Sequence, residues 1–369
     1  MAPPKKTLSV GEPAPWFRTA ALGGAADYVF DTIGGQPVLM FFFGTANHPP
    51  VREALAKVQL RRDLFDDRRG CFFGVTVDPA DAAEQRIRQQ LPGIRFLLDY
   101  DRKVSSAFGT LGAGSAYRGW WFLLDPALRV VGAFPLREVD AALAAFEALV
   151  DQPPLADWAP VLMVDNVFEP VLCRTLIDLY EADGGEESGF MRDADGKTRL
   201  VVDPRHKVRR DFIVTEPNLV RQLNLRLVHR LLPMVRRAFS FEATRLERLL
   251  VGCYEAETGG HFRRHRDDTT RGTAHRRFAV TINLNAEEYE GGALRFPEFG
   301  PRTYRAPTGG AVVFGCSLLH EAMPVTRGRR FAFLPFLYDE AGAALRERNA
   351  GYLEGELANY RASNDVPAL

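Results

Sequence analysis

Gly259-Gly260-His261-Phe262-Arg263-Arg264-His265-Arg266-Asp267 is the stretch from which the second half of this 369-residue chain is read. It holds a His-x-Asp pair, His265 and Asp267. On a strand, side chains two positions apart share a face. An imidazole and a carboxylate placed this way can grip one metal ion. A further histidine is needed to complete the grip, and His320 supplies it, followed ten residues later by Arg330.

The surroundings of this stretch predict a barrel. From residue 246 onward short apolar segments at 249–254, 278–284, 293–297, 310–315 and 331–337 alternate with turns. The pairs Gly259-Gly260, Gly291-Gly292 and Gly309-Gly310 punctuate them. Many short strands in two sheets, fronted by helices, predict an α+β double-stranded β-helix, or jelly roll. Before the barrel, 161–164 is strand-like. Residues 170–181 read as a helix with Leu172, Leu176, Ile177 and Leu179 inward. A long helix capped by Asn218 and kinked at Pro233 runs to about residue 239, with Arg221, Arg230 and Arg237 on a solvated face. Residues 183–206 read as a long mobile loop. The basic residues Arg192, Arg199, Arg205, Lys207, Arg209 and Arg210 there and just beyond belong to a solvated loop or meet an acidic substrate.

The first half has a different pattern. Pro37-Val38-Leu39-Met40-Phe41-Phe42-Phe43 is a continuous apolar run, as expected of a strand buried on both faces. A helix over 51–64 follows, with Val51, Leu55, Val58 and Leu64 on its apolar side. Then come a strand at 71–77, a helix over about 80–90, a strand at 96–99, a hairpin from 120–125 and 130–134, and a helix over 138–150. Strands alternating with helices make this an α/β unit. Asp151-Gln152-Pro153-Pro154 forms a stiff boundary. The expected organisation is a domain over 1–150, a second over 155–340, and a C-terminal helix and tail over 341–369.

Composition narrows the function. Lys plus Arg and Asp plus Glu are balanced at 47 each, which argues against nucleic acid as the main partner. No apolar run reaches the length of a membrane span, and no signal-peptide core follows the basic N-terminus. Cys71, Cys173, Cys253 and Cys316 are far apart, with no Cys-x-x-Cys, as expected of a cytoplasmic protein.

The metal constellation has competing readings. Two histidines and a carboxylate on one face of an iron leave three positions open, the donor set of non-haem Fe(II) oxygenases. His261 and His265, four apart, would make a zinc pair on a helix, but no Glu follows His261 and the surroundings are β. Three unrelated surface residues are the remaining alternative. Arg330 adds a planar guanidinium, suited to a carboxylate. Alternation puts Arg329 and Arg330 on opposite faces, so one of them points inward.

Residues 160–340 resemble the prolyl-4-hydroxylase-like branch of the 2-oxoglutarate/Fe(II) dioxygenases. The likeness lies in Cys253-Tyr254, Gly-Gly-x-Phe-x-x-His-x-Asp, Leu284-Asn285, Gly291-Gly292-Ala293-Leu294-x-Phe296-Pro297, and His320 through Arg330. The resemblance implies that His265, Asp267 and His320 ligate Fe(II). It implies that Arg330 pairs with the distal carboxylate of 2-oxoglutarate, and that Tyr254 donates to the co-substrate. Several family members have a tyrosine just before the Leu-Asn pair; Asn283 stands there, as a further candidate donor. The implied reaction consumes O2 and 2-oxoglutarate, hydroxylates a C–H bond of a peptide, protein or small molecule, and releases succinate and CO2. Ascorbate is an implied helper.

Residues 8–150 resemble the peroxiredoxin family, through Gly-x-x-Ala-Pro-x-Phe at 11–17, the strand-loop-helix after Phe43, and Leu-Asp-x-Asp-Arg at 98–102. The resemblance implies a thioredoxin-like fold. In the family motif Pro-x-x-x-Thr/Ser-x-x-Cys the matching positions are Gly44, His48 and Val51. Valine cannot supply the thiolate that attacks peroxide, so this domain is expected to lack peroxidase activity and to serve docking or homo-oligomerisation. A thiol peroxidase, or a non-catalytic binding protein on two enzyme folds, are the alternative functions.

Overall fold

In the computed structural model, which describes residues 6–112, 116–153, 156–194 and 196–354, the run Val38–Gly44 is a strand buried along its whole length. It pairs in parallel with Cys71–Thr76 and antiparallel with Trp120–Leu124. Seven strands lie in the order 28–29, 18–21, 94–98, 71–76, 38–44, 120–124 and 130–135. Because successive side chains alternate, Leu39, Phe41 and Phe43 enter one core, and Val38, Met40 and Phe42 enter the other. Helices Pro49–Leu60 and Val139–Val150 cover the first core through Val51, Ala54, Val58, Leu143 and Phe146. Phe41 stacks flat on Trp121, with centroids 3.7 Å apart. This is the expected thioredoxin-like α/β arrangement.

The chain divides into two compact units, residues 1–157 with 297–301, and residues 158–296 with 302–369. Pro154 of the boundary stretch lies outside the described residues, as does the tail beyond residue 354.

One helix of the first unit is shorter than expected. The 80–90 segment is helical only over Pro79–Ala83. Gln85 takes φ 54°, a left-handed conformation that ends the helix. The Asp81 carboxylate turns away from solvent instead. It accepts from the Ala46 N–H at 2.9 Å and the Thr76 hydroxyl at 2.6 Å, tying the loop after residue 44 to the neighbouring strand.

The second unit is the α+β double-stranded β-helix. One sheet runs 245–247, 336–338, 278–283, 329–333, 250–255, 210–213 and 186–187. The strand 311–315 is laid on 278–283 and carries 161–164 on its other edge. The facing sheet runs 207–208, 261–265, 320–322, 294–295 and 303–304. Helix Pro170–Asp183 and the helical stretch from Pro217 to Phe239 pack Leu172, Leu176, Leu223 and Leu231 against Val251, Cys253, Ile282, Phe331 and Phe333. That face of the large sheet is dry, so the other face, two-residue alternation away, is left for Gly252, Tyr254, Asn283 and Arg330.

Four readings of this half are corrected. Residues 183–206 are not one mobile loop. Phe190–Ala194 and Lys197–Val201 form a hairpin, because the turn at Gly196 (φ 75°) folds two alternating segments onto each other. The helix after residue 216 is capped by Glu216, whose carboxylate accepts from the Asn218 and Leu219 N–H groups, rather than by Asn218. Its break takes the form of a π turn at Leu227–Leu231, immediately before Pro233, which has no N–H to give. Arg230 is not simply solvated: it bridges to Glu169 at 2.6 Å. Leu179, expected inward, is 37% exposed.

Candidate active site

His265 ends the strand His261–His265, and His320 begins the strand His320–Ala322. The two are cross-strand partners, beyond a bulge that follows Phe262. Bulges re-aim side chains; here the two imidazoles converge, with ring centroids 4.2 Å apart. Asp267 lies in the turn past the strand, not on it as simple alternation would have it. Its N–H donates to the Cys316 carbonyl at 2.9 Å, which fixes the turn. The carboxylate then reaches both rings, Oδ1 to His265 Nε2 at 3.5 Å and Oδ2 to His320 Nε2 at 3.4 Å.

The backbone sets the tautomers. His265 Nδ1 lies 2.7 Å from the Arg263 carbonyl, and His320 Nδ1 lies 3.0 Å from the Leu318 carbonyl. A carbonyl accepts only, so each Nδ1 carries the proton and each Nε2 keeps a lone pair for the centre. One ligand atom from each of the three residues falls within 4.8 Å of the others. Burial and the neighbouring His265 push the His320 imidazole down to about 4, against the pull of Asp267, so it stays neutral. Burial pushes the Asp267 carboxyl up, but His320, His265 and Arg276 outweigh it and hold the group below the usual carboxylate range. Two imidazoles and an ionised carboxylate fit a divalent metal ion. Among the described residues, His261 is not part of this cluster; its Nδ1 is held 2.7 Å from the Gly259 carbonyl.

The large sheet supplies the second half of the site. Tyr254 and Arg330 are direct partners on adjacent strands. The register of the next strand, Arg210 opposite Cys253, sets Arg209 on the other side of Tyr254. The row Arg209, Tyr254, Arg330 therefore crosses three strands on the barrel's inner face. The two guanidiniums differ. Arg209 clamps Asp211 through two bonds of 2.5 and 2.7 Å, and donates to the Tyr254 hydroxyl at 3.3 Å. Arg330 is 2% exposed, with its Cζ 5.0 Å from the centre of the Tyr254 ring. Its Nε and Nη1 meet no acceptor among the described residues. Arg329, its neighbour, faces out and pairs with Glu181 at 2.6 Å. A buried guanidinium with open donors is costly unless a carboxylate meets it. Asn283 shares this face, opposite Ala332. Its amide donates to the Ala306 carbonyl at 2.6 Å, and its buried oxygen has no donor among the described residues.

The rim is aromatic. Phe262 stacks on His265 at 3.5 Å, and Phe190 and His206 follow it, with His206 4.5 Å from Phe190 and 5.5 Å from Phe262. Phe314 lies against His320 at 4.5 Å. Two basic residues expected on a solvated loop are buried instead, Lys207 at 4% and Arg209 at 8% exposure. Lys207 Nζ donates to Ser188 Oγ at 2.6 Å and the Gly189 carbonyl at 2.7 Å, and burial lowers its basicity strongly. Lys207 opens the strand 207–208, and Arg209 lies in the link to the strand 210–213, where the register opposite Tyr254 turns it inward. The Arg-x-Asp spacing with Asp211 is the one sequence signal that sets Arg209 apart from the other basic residues of this stretch. The hairpin at 190–201 is pinned from a distance. Lys197 donates to the Gly351 carbonyl at 2.7 Å, Arg199 meets Glu354 at 3.1 Å, and Thr198 bridges to Leu353.

His206 gives a pH prediction. Burial first, then the nearby His265, push its imidazole down to about 4 from an ordinary 6.5. Above pH 6.5 the ring is neutral whether the chain is folded or not. Between 6.5 and about 4 the unfolded chain takes a proton that the folded chain refuses, so stability falls as pH falls and levels off below about 4. Allowing for the ring's partial exposure, the effect is on the order of 1–2 kcal/mol. Urea midpoints at pH 7 and pH 4.5 should show a smaller acid drop in His206→Phe, which keeps the aromatic stack, than in the parent protein.

In the first unit, Val51 is buried in the first turn of its helix, and His48 precedes that helix without a side-chain cap bond. Cys71 is fully buried, with Gln36 Nε2 3.5 Å from its sulfur.

Comparison with known proteins follows the same division. Residues 249–338, which hold His265, Asp267, His320 and Arg330, match the 2OG-Fe(II) oxygenase superfamily. Residues 10–132 match the AhpC/TSA family. A PKHD-type hydroxylase of Thioalkalivibrio sulfidiphilus is 31% identical over 144 residues, 37% of this chain and 62% of that protein. A PKHD-type hydroxylase of Synechococcus is 36% identical over 90 residues, 23% of this chain and 39% of that protein. The chain thus spans between about two fifths and three fifths of these relatives' length. Among solved structures, a Pseudomonas putida prolyl-4-hydroxylase aligns with TM-score 0.37 and 17% identity, over 49% of this chain and 94% of its own. A bacterioferritin comigratory protein of Xanthomonas campestris aligns with TM-score 0.32 and 18% identity, over 39% of this chain and all of its own.

Proposed function

We propose that the second unit is an Fe(II)- and 2-oxoglutarate-dependent dioxygenase that hydroxylates a C–H bond and releases succinate and CO2. One observation carries the reading: a three-donor metal face and a buried guanidinium with open donors occupy the same barrel. His265, Asp267 and His320 hold the ion. Bound iron supplies the oxygen chemistry. Arg330 takes the distal carboxylate of the co-substrate, and Tyr254, its oxygen already accepting from Arg209, turns its O–H toward the same pocket. Phe262 and Phe314 shield the imidazoles from water. Ascorbate serves as reductant for iron. The likeness to PKHD-type hydroxylases supports a prolyl or similar side chain of a peptide or protein as substrate, with a small molecule as the alternative.

The first unit, in this reading, is a docking or homo-oligomerisation module without peroxidase activity. Among the described residues no helix is long and apolar enough to cross a membrane. The four cysteines are buried and none is joined in a disulfide, which supports a reducing compartment such as the cytoplasm.

The test is succinate release from 2-oxoglutarate with Fe(II) and ascorbate, against a panel of peptides and amino acids. Protein that binds iron yet neither binds nor consumes 2-oxoglutarate would sink the reading. The peroxidase alternative has its own arm. Peroxide consumption should be no faster in the parent protein than in Cys71→Ser; a clear excess in the parent would return the redox role to the first unit.

A further inference from the structure

Tyr289 has no part in the site as described so far, yet it is 2% exposed and its buried hydroxyl has no hydrogen-bond partner among the described residues. Buried phenols ordinarily find a partner. Its surroundings say what that partner is. Gly292 takes φ +63°, and the point where a Cβ on it would lie is 3.0 Å from Arg330 Cδ and 3.3 Å from Tyr289 Cε2. The absent side chain lets the tyrosine ring and the arginine stem share one neighbourhood. The backbone there is held firmly. The Gly292 N–H donates to the Pro324 carbonyl at 3.0 Å, and the strand 290–291 pairs with 325–327. The ring is braced from another side by Arg305, whose Cζ lies 5.0 Å from its centre and whose Nη1 donates to the Tyr289 carbonyl at 3.3 Å.

Two nitrogens of Arg330 and the Tyr289 hydroxyl are thus unmet among the described residues, on side chains that both flank the space Gly292 leaves open. The nitrogens only donate, and the phenol can donate. A carboxylate, with two oxygens and about four acceptor sites, answers all of them at once. We propose that Tyr289 is a second donor to the distal carboxylate of the co-substrate, beside Arg330, and so helps select a dicarboxylic 2-oxo acid over a monocarboxylic one. The assignment rests on the 2-oxoglutarate reading given above. It divides the labour in the pocket: Arg330 supplies charge, and Tyr289 supplies direction.

The experiment is calorimetric binding of 2-oxoglutarate and of pyruvate, which lacks the distal carboxylate, to full-length protein loaded with Mn(II) and kept from turnover. Tyr289→Phe removes one oxygen and leaves the ring. Its affinity for 2-oxoglutarate should fall about tenfold, as for one lost hydrogen bond to a charged group. Its affinity for pyruvate, and its melting temperature without ligand, should not change. If the variant binds 2-oxoglutarate as tightly as the parent, the assignment is overturned. An equal loss for both acids also overturns it, because the tyrosine would then act on the fold and not on the carboxylate. Parent protein that holds Mn(II) but binds no 2-oxoglutarate would bring down the underlying function instead, a result distinct from either.

Discussion

If His265, Asp267 and His320 hold the ion as proposed, Asp267→Asn should leave a folded protein that binds metal far more weakly. The carboxylate stands between two imidazoles, 3.5 and 3.4 Å from their Nε2 atoms, and it is the only anionic group of the three. Asparagine keeps the shape and removes the charge. Loss of a partner outside a metal's own ligand shell already costs about 10–100-fold in affinity; loss of a charged ligand should cost at least about 100-fold. The effect reads out without turnover. At a metal concentration 100 times its dissociation constant, the parent protein gains about 2.7 kcal/mol of stability. The variant, at the same Mn(II) concentration, should gain about 0.4 kcal/mol or less. Denaturant midpoints with and without metal measure the difference. A variant that keeps the full metal-dependent gain would show that the ion sits elsewhere.

Arg330→Met should separate stability from binding. In the ligand-free protein the guanidinium bears a desolvation cost that no acceptor relieves at Nε or Nη1. Replacing a whole buried ion pair by apolar side chains of similar volume is often neutral or stabilising, by roughly 1–4 kcal/mol, and a guanidinium that lacks its partner has less pairing to lose. The variant's denaturant midpoint should therefore be unchanged or higher. Its affinity for 2-oxoglutarate should collapse, because truncating one side of a buried charged pair costs about 2–5 kcal/mol or more, on the order of 30-fold to several thousand-fold. Pyruvate binding should be largely spared. A variant that is strongly destabilised and still binds 2-oxoglutarate would reverse the role given to Arg330.

Much of this was legible in the sequence, for reasons that differ by region. The apolar run at 37–43 could only be a strand buried on both faces, and it is. The histidines were visible through their spacing to Asp267 and Arg330, and the structure brings the three candidate ligands together. The opposite facing of Arg329 and Arg330 followed from the period of a strand alone. What escaped depended on contacts between residues far apart in the chain. Lys207 and Arg209 read as solvated because charge is usually exposed; their burial is decided by Ser188, Asp211 and Tyr254. The hairpin at 190–201 read as a loop because its polar residues hide the alternation, and its anchors lie near residues 271 and 353. Tyr289 gave no sign, since its place beside Arg330 depends on what Gly292 omits.

The pinning of that hairpin has a consequence for how the site is assembled in time. Its bonds to Gly351 and Glu354 close loops of 154 and 155 residues. Contacts so remote form late, because the long intervening chain must be ordered before they bring any gain. His265 and His320 pair over a much shorter span, so the hairpin and its Phe190 are fastened to a barrel whose candidate metal face is already in place.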